Sequence, residues 1–187
     1  LFLGLSGTGR TTLATGLGGA CADGAILWTE AGLEPQGPGR ASGHPAHVAI
    51  LVADTTGTLP ALARLSPEQA ALWFAVGYAA ARGGVAAGET AEAGLAFSPG
   101  CGARHHVVPT AVGVDRFLAK LRRHAPACWL VDTGWPGGGE ARRPVAQTLA
   151  VLDDAFAGRL AGWRRDARFG FEVPAGIEAG TADGAGL

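Results

Sequence analysis

The stretch Leu1-Phe-Leu-Gly-Leu-Ser-Gly-Thr-Gly-Arg10-Thr-Thr12 decides the fold, because an apolar run breaks there into glycines and hydroxyl-bearing residues. In the pattern G-x-x-x-x-G-K-[ST], Gly4, Gly9 and Thr11 fall in register, and the residues from Leu1 to Leu5 supply the preceding strand. Small residues let several backbone N–H groups turn toward phosphate oxygens, and the helix that follows directs its positive end at the same point. The stretch therefore predicts a phosphate-binding loop (P-loop) between a strand and a helix.

The pattern also gives the loop residues individual roles. Arg10 stands in the place of the lysine that reaches the β- and γ-phosphates, and it keeps the charge while changing its length and hydrogen-bond geometry. The Thr11 hydroxyl is expected to bind Mg²⁺. The predicted nucleotide-binding residues of the loop are Gly4, Ser6, Gly7, Thr8, Gly9, Arg10, Thr11 and Thr12. The alternative is a glycine-rich turn from strand to helix that holds no ligand.

A nucleotide site of this kind also needs an acidic residue on a neighbouring strand to hold the metal ion. Asp23 is the nearest candidate and Glu30 is the second, with a strand expected at 25–28 between them. For either residue, a solvated carboxylate in an ordinary turn is an equally good interpretation. The adjacent pair His105-His106 makes a poor metal site, because neighbouring residues on a strand point to opposite faces.

Composition places the chain among soluble globular proteins. Hydrophobic residues make up 48% and charged residues 17% of the 187 positions, and the formal net charge is −1. That balance gives no electrostatic footprint for nucleic acid or for an anionic membrane, and the three cysteines are too few and too scattered for a disulfide framework. We expect a cytoplasmic protein with one domain over residues 1–174 and a frayed tail over 175–187. The absence of methionine, in a chain that begins inside a strand, suggests a fragment of a larger two-lobed protein.

The rest of the chain alternates between buried strands and amphipathic helices. Continuous apolar runs predict strands from His47 to Ala53 and from Ala127 to Asp132, with a last strand from Phe169 to Val173. Ser66, Pro67 and Gln69 predict a capped helix start, and that helix is expected to reach about Arg82 with Leu72, Val76 and Ala80 facing inward. Further helices are predicted at 115–124 and 144–159. The strand that ends at Asp132 runs into a glycine-rich turn followed by Arg142 and Arg143, where open α/β sheets place ligands; a flexible surface loop is the equal alternative.

Several of these stretches, in this order, resemble the nucleotide-binding lobe of ATP-dependent phosphoenolpyruvate carboxykinase. The matching segments are Leu3 to Leu13, Gly43-His-Pro45, Ile50 to Asp54, Gly57 to Pro60, Arg64 to Gln69, Phe97-Ser98 and Leu130 to Trp135. The resemblance implies a mixed α/β sheet with a P-loop, in the C-terminal mononucleotide-binding lobe of that family. It covers most of the chain up to about Leu160.

The resemblance also implies an activity. The family converts oxaloacetate and ATP to phosphoenolpyruvate, CO₂ and ADP in gluconeogenesis, with Mg²⁺ on the nucleotide and usually Mn²⁺ at the substrate. By resemblance the P-loop residues bind the phosphates, with Arg10 in a catalytic role, and Arg142 lies near the nucleotide. Asp23 stands near the family's acidic pair and is assigned a catalytic role and, together with Thr11, a metal-binding role. Oxaloacetate and phosphoenolpyruvate are expected partners only if an amino-terminal lobe is present.

The chain departs from the family pattern at positions that catalysis uses. The family's consecutive aspartates are Asp23-Gly24 here, and its catalytic arginine falls on Gly88 or its neighbours. This chain alone is therefore expected to be inactive. The second hypothesis is a degenerate descendant that binds a nucleotide or an anion and acts as a regulatory domain. A third is a kinase of the HPr kinase type, which needs a catalytic aspartate after the loop, and only Asp23 is available.

Overall fold

The computed structural model describes residues 1–5, 8–10, 12–13, 44–81, 94–102 and 108–177. Several predictions fall on residues outside these ranges and stay predictions. They concern the loop residues Ser6, Gly7 and Thr11, the acidic candidates Asp23 and Glu30, the strand at 25–28, the pair His105-His106, and most of the tail.

A mixed sheet forms the centre of the molecule. In the described part of the chain its strands are β1 (Phe2–Gly4), β2 (His47–Val52), β3 (Leu62–Leu65), β6 (Ala127–Asp132), β7 (Arg164–Arg165) and β8 (Glu172–Val173), in the order β1-β2-β6-β3-β8-β7. The first three strands in that order are parallel, and β3, β8 and β7 continue the sheet in antiparallel pairs. A separate hairpin pairs β4 (Tyr78–Ala81) with β5 (Gly94–Phe97). The predicted α/β class with a mixed sheet is confirmed.

Both faces of the sheet are covered, which explains the continuous apolar runs of its central strands. On one face Val48, Ile50 and Val52 pack in a cluster with helices α1 (Pro67–Val76) and α2 (Thr110–His124). On the other face Leu51 and Val131 pack with helix α3 (Val145–Phe156) and with Leu13. Alternate residues of one strand therefore pack against helices on opposite faces of the sheet. Because both faces are buried, a shift in strand register would be costly on either side.

Helix α1 begins as predicted and ends earlier than predicted. The Ser66 hydroxyl accepts from the Gln69 amide, and the Gln69 side chain accepts from the Ser66 amide, so the capping box is confirmed. The helix ends at Val76 because Gly77 adopts the left-handed conformation, with φ +56°. Only glycine fits at this position, since a Cβ would lie 1.9 Å from the carbonyl oxygen of Ser98. The chain then turns into β4, so the predicted extension to Arg82 is wrong. Leu72, predicted to face inward, is 62% exposed.

The remaining boundaries differ from the predictions by a few residues. Strand β2 ends at Val52, one residue short of the prediction, and β6 matches its prediction at both ends. Helix α2 begins at Thr110, five residues earlier than predicted, whereas α3 is shorter than predicted at both ends and β8 has only two residues. Strands β3, β4, β5 and β7 were not predicted, because their short segments carry no sustained alternation. None of the described helices is long and apolar enough to cross a membrane.

Candidate functional site

The candidate site lies where the parallel strands β1, β2 and β6 end at one edge of the sheet. Gly4 pairs with Leu51, and Val52 pairs with Asp132, so the three strands finish side by side. The segments that follow them are the opening glycine loop, the turn that starts at Asp54, and the glycine-rich turn that starts at Thr133. Ligands of open α/β sheets bind beyond such carboxyl ends.

The opening loop has a strand before it and the start of a helix after it. Residue 10 begins the helical conformation, and the Leu13 amide donates to the carbonyl of Gly9 at 2.9 Å, an i→i−4 bond of an α-helix. Gly9 has φ +86°, which a residue with a side chain rarely adopts, and, apart from its chain neighbours, no atom of the described residues lies within 4 Å of its Cβ position. The glycine pattern predicts a strand before the loop and a helix start after it, and the described residues contain both.

Thr8 shapes the loop from inside. Its side chain is fully buried, and both its hydroxyl and its backbone N–H donate to the carbonyl of Leu5, at 2.8 and 3.3 Å. A Cβ on Gly4 would lie 2.7 Å from that hydroxyl and 2.8 Å from the carbonyl of Leu51, so only glycine fits there. The predicted phosphate-binding residues Gly4 and Thr8 are thus brought together, with the Thr8 hydroxyl already engaged within the loop.

A threonine from the far turn fastens the loop to the sheet. The Thr133 hydroxyl lies 3.0 Å from the carbonyl of Thr8 and 3.0 Å from the carbonyl of Val52, and it donates to one of them at a time. Arg142 holds this threonine, because its Nη2 donates to the hydroxyl at 2.9 Å and its Nε donates to the carbonyl at 2.7 Å. Arg142 also lies over the ring of Trp135, 5.5 Å from its centroid. The structure therefore places the predicted residue Arg142 beside the opening loop.

Asp54 organises the turn after β2. This fully buried carboxylate accepts hydrogen bonds from the backbone amides of Thr56, Thr58 and Leu59, from both threonine hydroxyls, and from the hydroxyl of Tyr78 at 3.1 Å. Burial alone raises the pKa of Asp54, but the hydrogen bonds outweigh it and the pKa is lowered. Asp54 is therefore ionised at neutral pH, and it acts as a fixed anion that orders the turn.

Asp132 is a second buried carboxylate, next to the first. One of its oxygens, Oδ1, accepts from the amides of Asp54 and Gly134 at 2.8 and 2.9 Å, whereas Oδ2 is buried and has no hydrogen-bond partner among the described residues. Burial raises the pKa of Asp132 to about 6, and the charge of Asp54 adds to the rise; the two amides and the charge of Arg143 act in the opposite direction. The pair resembles other close carboxylates in that one member gives up its charge more readily than the other.

The raised pKa of Asp132 gives a testable dependence of stability on pH. The pKa of Asp132 in the folded protein, about 6, exceeds the ordinary value of 3.8. Between these two pH values the folded state binds more protons than the unfolded state, so the free energy of unfolding falls as the pH rises through the range. Above pH 6 the buried charge costs on the order of 3 kcal/mol, whereas an uncharged asparagine amide with an unpaired NH₂ group costs about 1–2 kcal/mol. Asp132→Asn should therefore raise the free energy of unfolding by about 1–2 kcal/mol at pH 8.

Urea unfolding of both proteins at pH 8 and at pH 4 measures this difference. The gain at pH 8 should vanish at pH 4, where Asp132 of the original chain is protonated. An equal effect of the substitution at both pH values would show that Asp132 is not the buried titrating group.

The other predicted site residues are less constrained by the described contacts. Arg10 and Thr12 are exposed on the first helical turn. Burial raises the pKa of the nearby Cys101 thiol to about 11, and the charge of Arg10 acts against that rise. The thiol therefore stays protonated at neutral pH and is no nucleophile.

Reasoning from the sequence missed three residues at this edge of the sheet: Asp54, Asp132 and Thr133. A signal for them was present, since each of two apolar runs ends in an aspartate, Ile50 to Asp54 and Leu130 to Asp132. Parallel strands of similar length bring such residues to one edge. Within the described residues, no group of three or more His, Cys, Asp or Glu side chains could hold a metal ion.

The fold and the site together define the class: an α/β protein with a mixed sheet and a candidate ligand site at the carboxyl ends of its parallel strands. A protein-family model described as phosphoenolpyruvate carboxykinase, of the ATP type, matches residues 33–182. The chain therefore belongs to the phosphoenolpyruvate carboxykinase family. Because this match begins at residue 33, the assignment does not depend on the opening loop.

Comparison with individual proteins agrees with the family. The chain is 42% identical over 138 residues to phosphoenolpyruvate carboxykinase (ATP) of Thermus thermophilus, a match covering 71% of this chain and 26% of that protein. It is 38% identical over 142 residues to the protein of the same name from Geotalea uraniireducens, with 73% and 27% covered. For Agrobacterium fabrum the values are 40% over 153 residues, 77% and 27%. The chain thus spans about a quarter of the length of these relatives.

Proposed function

We propose that this chain supplies the ATP-binding lobe of an ATP-dependent phosphoenolpyruvate carboxykinase, which decarboxylates and phosphorylates oxaloacetate to phosphoenolpyruvate in gluconeogenesis. In this proposal residues 1–174 form one nucleotide-binding domain in a cytoplasmic enzyme. The observation that carries it is the opening loop, which lies between a strand and a helix start at the sheet edge where Thr133 and Arg142 hold it. Membership of the family supports the same assignment.

Each described residue of the edge has a specific task in this proposal. Gly4 and Gly9 let the backbone take the tight path that a polyphosphate needs. Thr8 and Thr133 hold the loop in that shape, so that its amides are fixed before a nucleotide arrives. The Arg10 guanidinium, exposed on the first helical turn, is free to reach the outer phosphates.

The residues present fit a nucleotide in their shape and charge. A Cβ would fill the close approach at Gly4, and the loop lies at a helix N-terminus, where anions are stabilised. Bound ATP supplies the phosphoryl group, and a divalent ion, Mg²⁺ or Mn²⁺, neutralises its charge. The proposed metal residues Thr11 and Asp23, and the proposed loop residues Ser6 and Gly7, lie outside the described part of the chain, so their roles rest on the sequence alone.

Nucleotide binding should depend on Arg10. With ATP-Mg²⁺ at about a hundred times its dissociation constant, we expect the melting temperature to rise by about 5–10 °C. Arg10→Ala should weaken binding about tenfold or more, because it removes the charge that faces the phosphates. Arg10→Lys should strengthen it relative to the original chain, because a flexible point charge suits the β- and γ-phosphates. Isothermal titration calorimetry gives the three dissociation constants.

Arg168→Ala is the matched control, since Arg168 is an exposed arginine outside the site. It should leave the dissociation constant for ATP-Mg²⁺ unchanged. If millimolar ATP-Mg²⁺ neither shifts the melting temperature nor binds in the calorimeter, the proposed nucleotide-binding role is wrong, and only the common ancestry remains.

A second candidate function is a degenerate nucleotide-binding or regulatory domain of the same ancestry. The replacement of the family's acidic pair by Asp23-Gly24 and of its arginine by Gly88 or a neighbour favours it. Both candidates predict nucleotide binding, so catalysis separates them. An assay for phosphoenolpyruvate formation from oxaloacetate and ATP, with the amino-terminal lobe of a relative added in trans, should give product for the enzyme lobe and none for the degenerate domain.

A further inference from the structure

The two carboxyl oxygens of Asp132 have different surroundings. Oδ1 accepts from the amide of Asp54, in the turn after β2, and from the amide of Gly134, in the glycine-rich turn after β6. Oδ2 is buried and accepts no hydrogen bond in the part of the chain that the structure describes. A proton can therefore bind to Oδ2 while Oδ1 keeps both amides. The charge of Asp132 can change in this way without a change in the shape of the sheet edge.

The charged and titratable groups that face Asp132 come from three segments. Asp54, in the turn after β2, is a neighbouring carboxylate, and its charge opposes ionisation of Asp132. Arg143 follows the glycine-rich turn; its charge favours the ionised form, and its Nε donates to the backbone carbonyl of Asp132 at 3.2 Å. Tyr78, on β4, donates to Asp54 at 3.1 Å, and it stays neutral because burial and the two carboxylates raise its pKa. The charge of Arg143 thus acts against both burial and the charge of Asp54.

Hydrogen bonds decide which of the two carboxylates accepts a proton first. Asp54 accepts from three backbone amides and three hydroxyls, which stabilise its charge and lower its pKa. Asp132 accepts from two amides, both at Oδ1, and burial raises its pKa to about 6. When negative charge is added nearby, Asp132 is therefore the member of the pair that becomes protonated.

Asp132 is adjacent in the chain to the residue that contacts the opening loop. The Thr133 hydroxyl lies 3.0 Å from the carbonyl oxygen of Thr8, so the Cα atom of Asp132 is at most about 10 Å from that oxygen. Salt screens buried charges much less than exposed ones. At an effective dielectric constant of about 20, a net negative charge bound at the loop should favour the protonated form of Asp132 by about tenfold.

From this geometry we infer that Asp132 is a positioning residue of the nucleotide site, which takes up a proton at Oδ2 when a polyphosphate binds to the opening loop. The inference rests on the proposed nucleotide-binding function. Through Oδ1 the carboxyl group holds both turns in either protonation state, and the proton removes a buried charge that would repel the phosphates. The proton comes from the solvent, so the affinity for ATP-Mg²⁺ depends on pH through Asp132.

Titration calorimetry in buffers of different ionisation enthalpy measures this proton uptake. ATP-Mg²⁺ is titrated into the 187-residue chain, and a proton taken from the buffer adds the buffer's heat of ionisation to the observed enthalpy. We expect about 0.4 proton taken up per bound nucleotide at pH 7, and less than about 0.1 at pH 8.5, where Asp132 stays ionised in both states. The dissociation constant should rise about fivefold from pH 6 to pH 8.

Asp132→Asn removes the titrating group and keeps the size of the side chain. In this variant the proton uptake and the fivefold dependence on pH should both be lost, and any contribution from the nucleotide itself should remain. A purely structural role of Asp132 would instead change the affinity by the same factor at both pH values. Asp115→Asn removes an exposed carboxylate on α2 and is the matched control, which should behave as the original chain does.

Difference infrared spectroscopy gives a second readout that needs no substitution. Addition of ATP-Mg²⁺ at pH 7 should produce the absorption of a protonated carboxyl group, and labelling of the aspartates with ¹³C should shift that band. If Asp132→Asn is not folded, as judged by circular dichroism, this spectrum decides the question, and a missing band overturns the inference.

The calorimetric outcomes distinguish this inference from the proposed function. If ATP-Mg²⁺ binds and the proton uptake is the same in Asp132→Asn as in the original chain, the inference is wrong and the nucleotide-binding function stands. If millimolar ATP-Mg²⁺ does not bind to the original chain, both are wrong. Uptake that is lost in Asp132→Asn and kept in Asp115→Asn supports the inference.

Discussion

Gly134→Ala should strongly destabilise the fold at the candidate site. The Cβ of an alanine would lie 2.1 Å from the carbonyl oxygen of Asp54 and 2.3 Å from its amide nitrogen. Both atoms are backbone and both are already bonded, the oxygen to the Trp135 amide at 2.7 Å and the nitrogen to Asp132 at 2.8 Å. The added methyl group can fit only if the two turns separate and these buried hydrogen bonds break.

The expected cost combines overpacking with lost buried hydrogen bonds and amounts to about 3 kcal/mol or more. For a chain of this size that corresponds to a fall of about 6–12 °C in the melting temperature. Differential scanning calorimetry or urea unfolding measures it. Because Thr133, next to Gly134, bonds the opening loop and is held by Arg142, separation of the turns should also weaken binding of ATP-Mg²⁺.

Gly139→Ala is the control for Gly134→Ala. It lies in the same glycine-rich turn, and among the described residues its Cβ would meet only the carbonyl of Pro136, at 3.3 Å. We expect it to change the free energy of unfolding by less than about 0.5 kcal/mol, as for ordinary surface substitutions. Similar values for the two variants would mean that the close contact between the turns does not exist in solution.

Asp54→Asn should be the second large effect. The asparagine side chain has the size of the carboxylate, but its NH₂ group replaces one of the two accepting oxygens. In one orientation the amides of Thr58 and Leu59 lose their acceptor, and in the other the amide of Thr56 loses it. Buried donors that lose their acceptor cost about 1–3 kcal/mol each, and hydrogen bonds to a charged group are stronger than neutral ones. We expect a loss of about 3 kcal/mol at pH 7.

The pH dependence of Asp54→Asn gives a second readout. The pKa of Asp54 is lowered in the folded protein, so its stabilising contribution is present above the ordinary value of 3.8 and is lost as pH falls through the lower folded value. Urea unfolding between pH 7 and pH 3 should therefore show the two proteins converging on the acid side. Asp115→Asn, an exposed position on α2, is the control and should cost less than about 0.5 kcal/mol at either pH.

Asp54 and Gly134 show how the sheet edge at the carboxyl ends of β1, β2 and β6 is built. They belong to different turns, and the backbones of the two turns are in contact because Gly134 has no side chain. The buried carboxylates then supply acceptors for amides that have no strand partner. The same edge carries Thr133, which reaches the opening loop, so stability at this edge and the shape of the proposed nucleotide site depend on the same contacts.

Local sequence signals predicted the elements whose formation can be read from contiguous residues. Strands β2 and β6 are continuous apolar runs, and they could be predicted because any strand with both faces covered needs such a run. The start of α1 was readable because Ser66, Pro67 and Gln69 satisfy the first amides of the helix by themselves. The end of α1 was missed although Gly77 carries a local signal, because glycine readily takes the left-handed conformation that ends the helix. The close approach of Gly77 to Ser98, 21 positions away in the chain, is not visible in any local pattern.

By itself, then, the sequence determined the α/β class, the central parallel strands and the family, since these follow from hydrophobic periodicity and from motifs that lie in contiguous residues. Only the tertiary structure decided that Asp54 meets Asp132 and Tyr78, and that Arg142 holds Thr133 against the opening loop. The physical reason is that burial, hydrogen-bond partners and pKa depend on what other strands and helices bring to the same place. Those distances are set by the packing of the whole sheet and its helices.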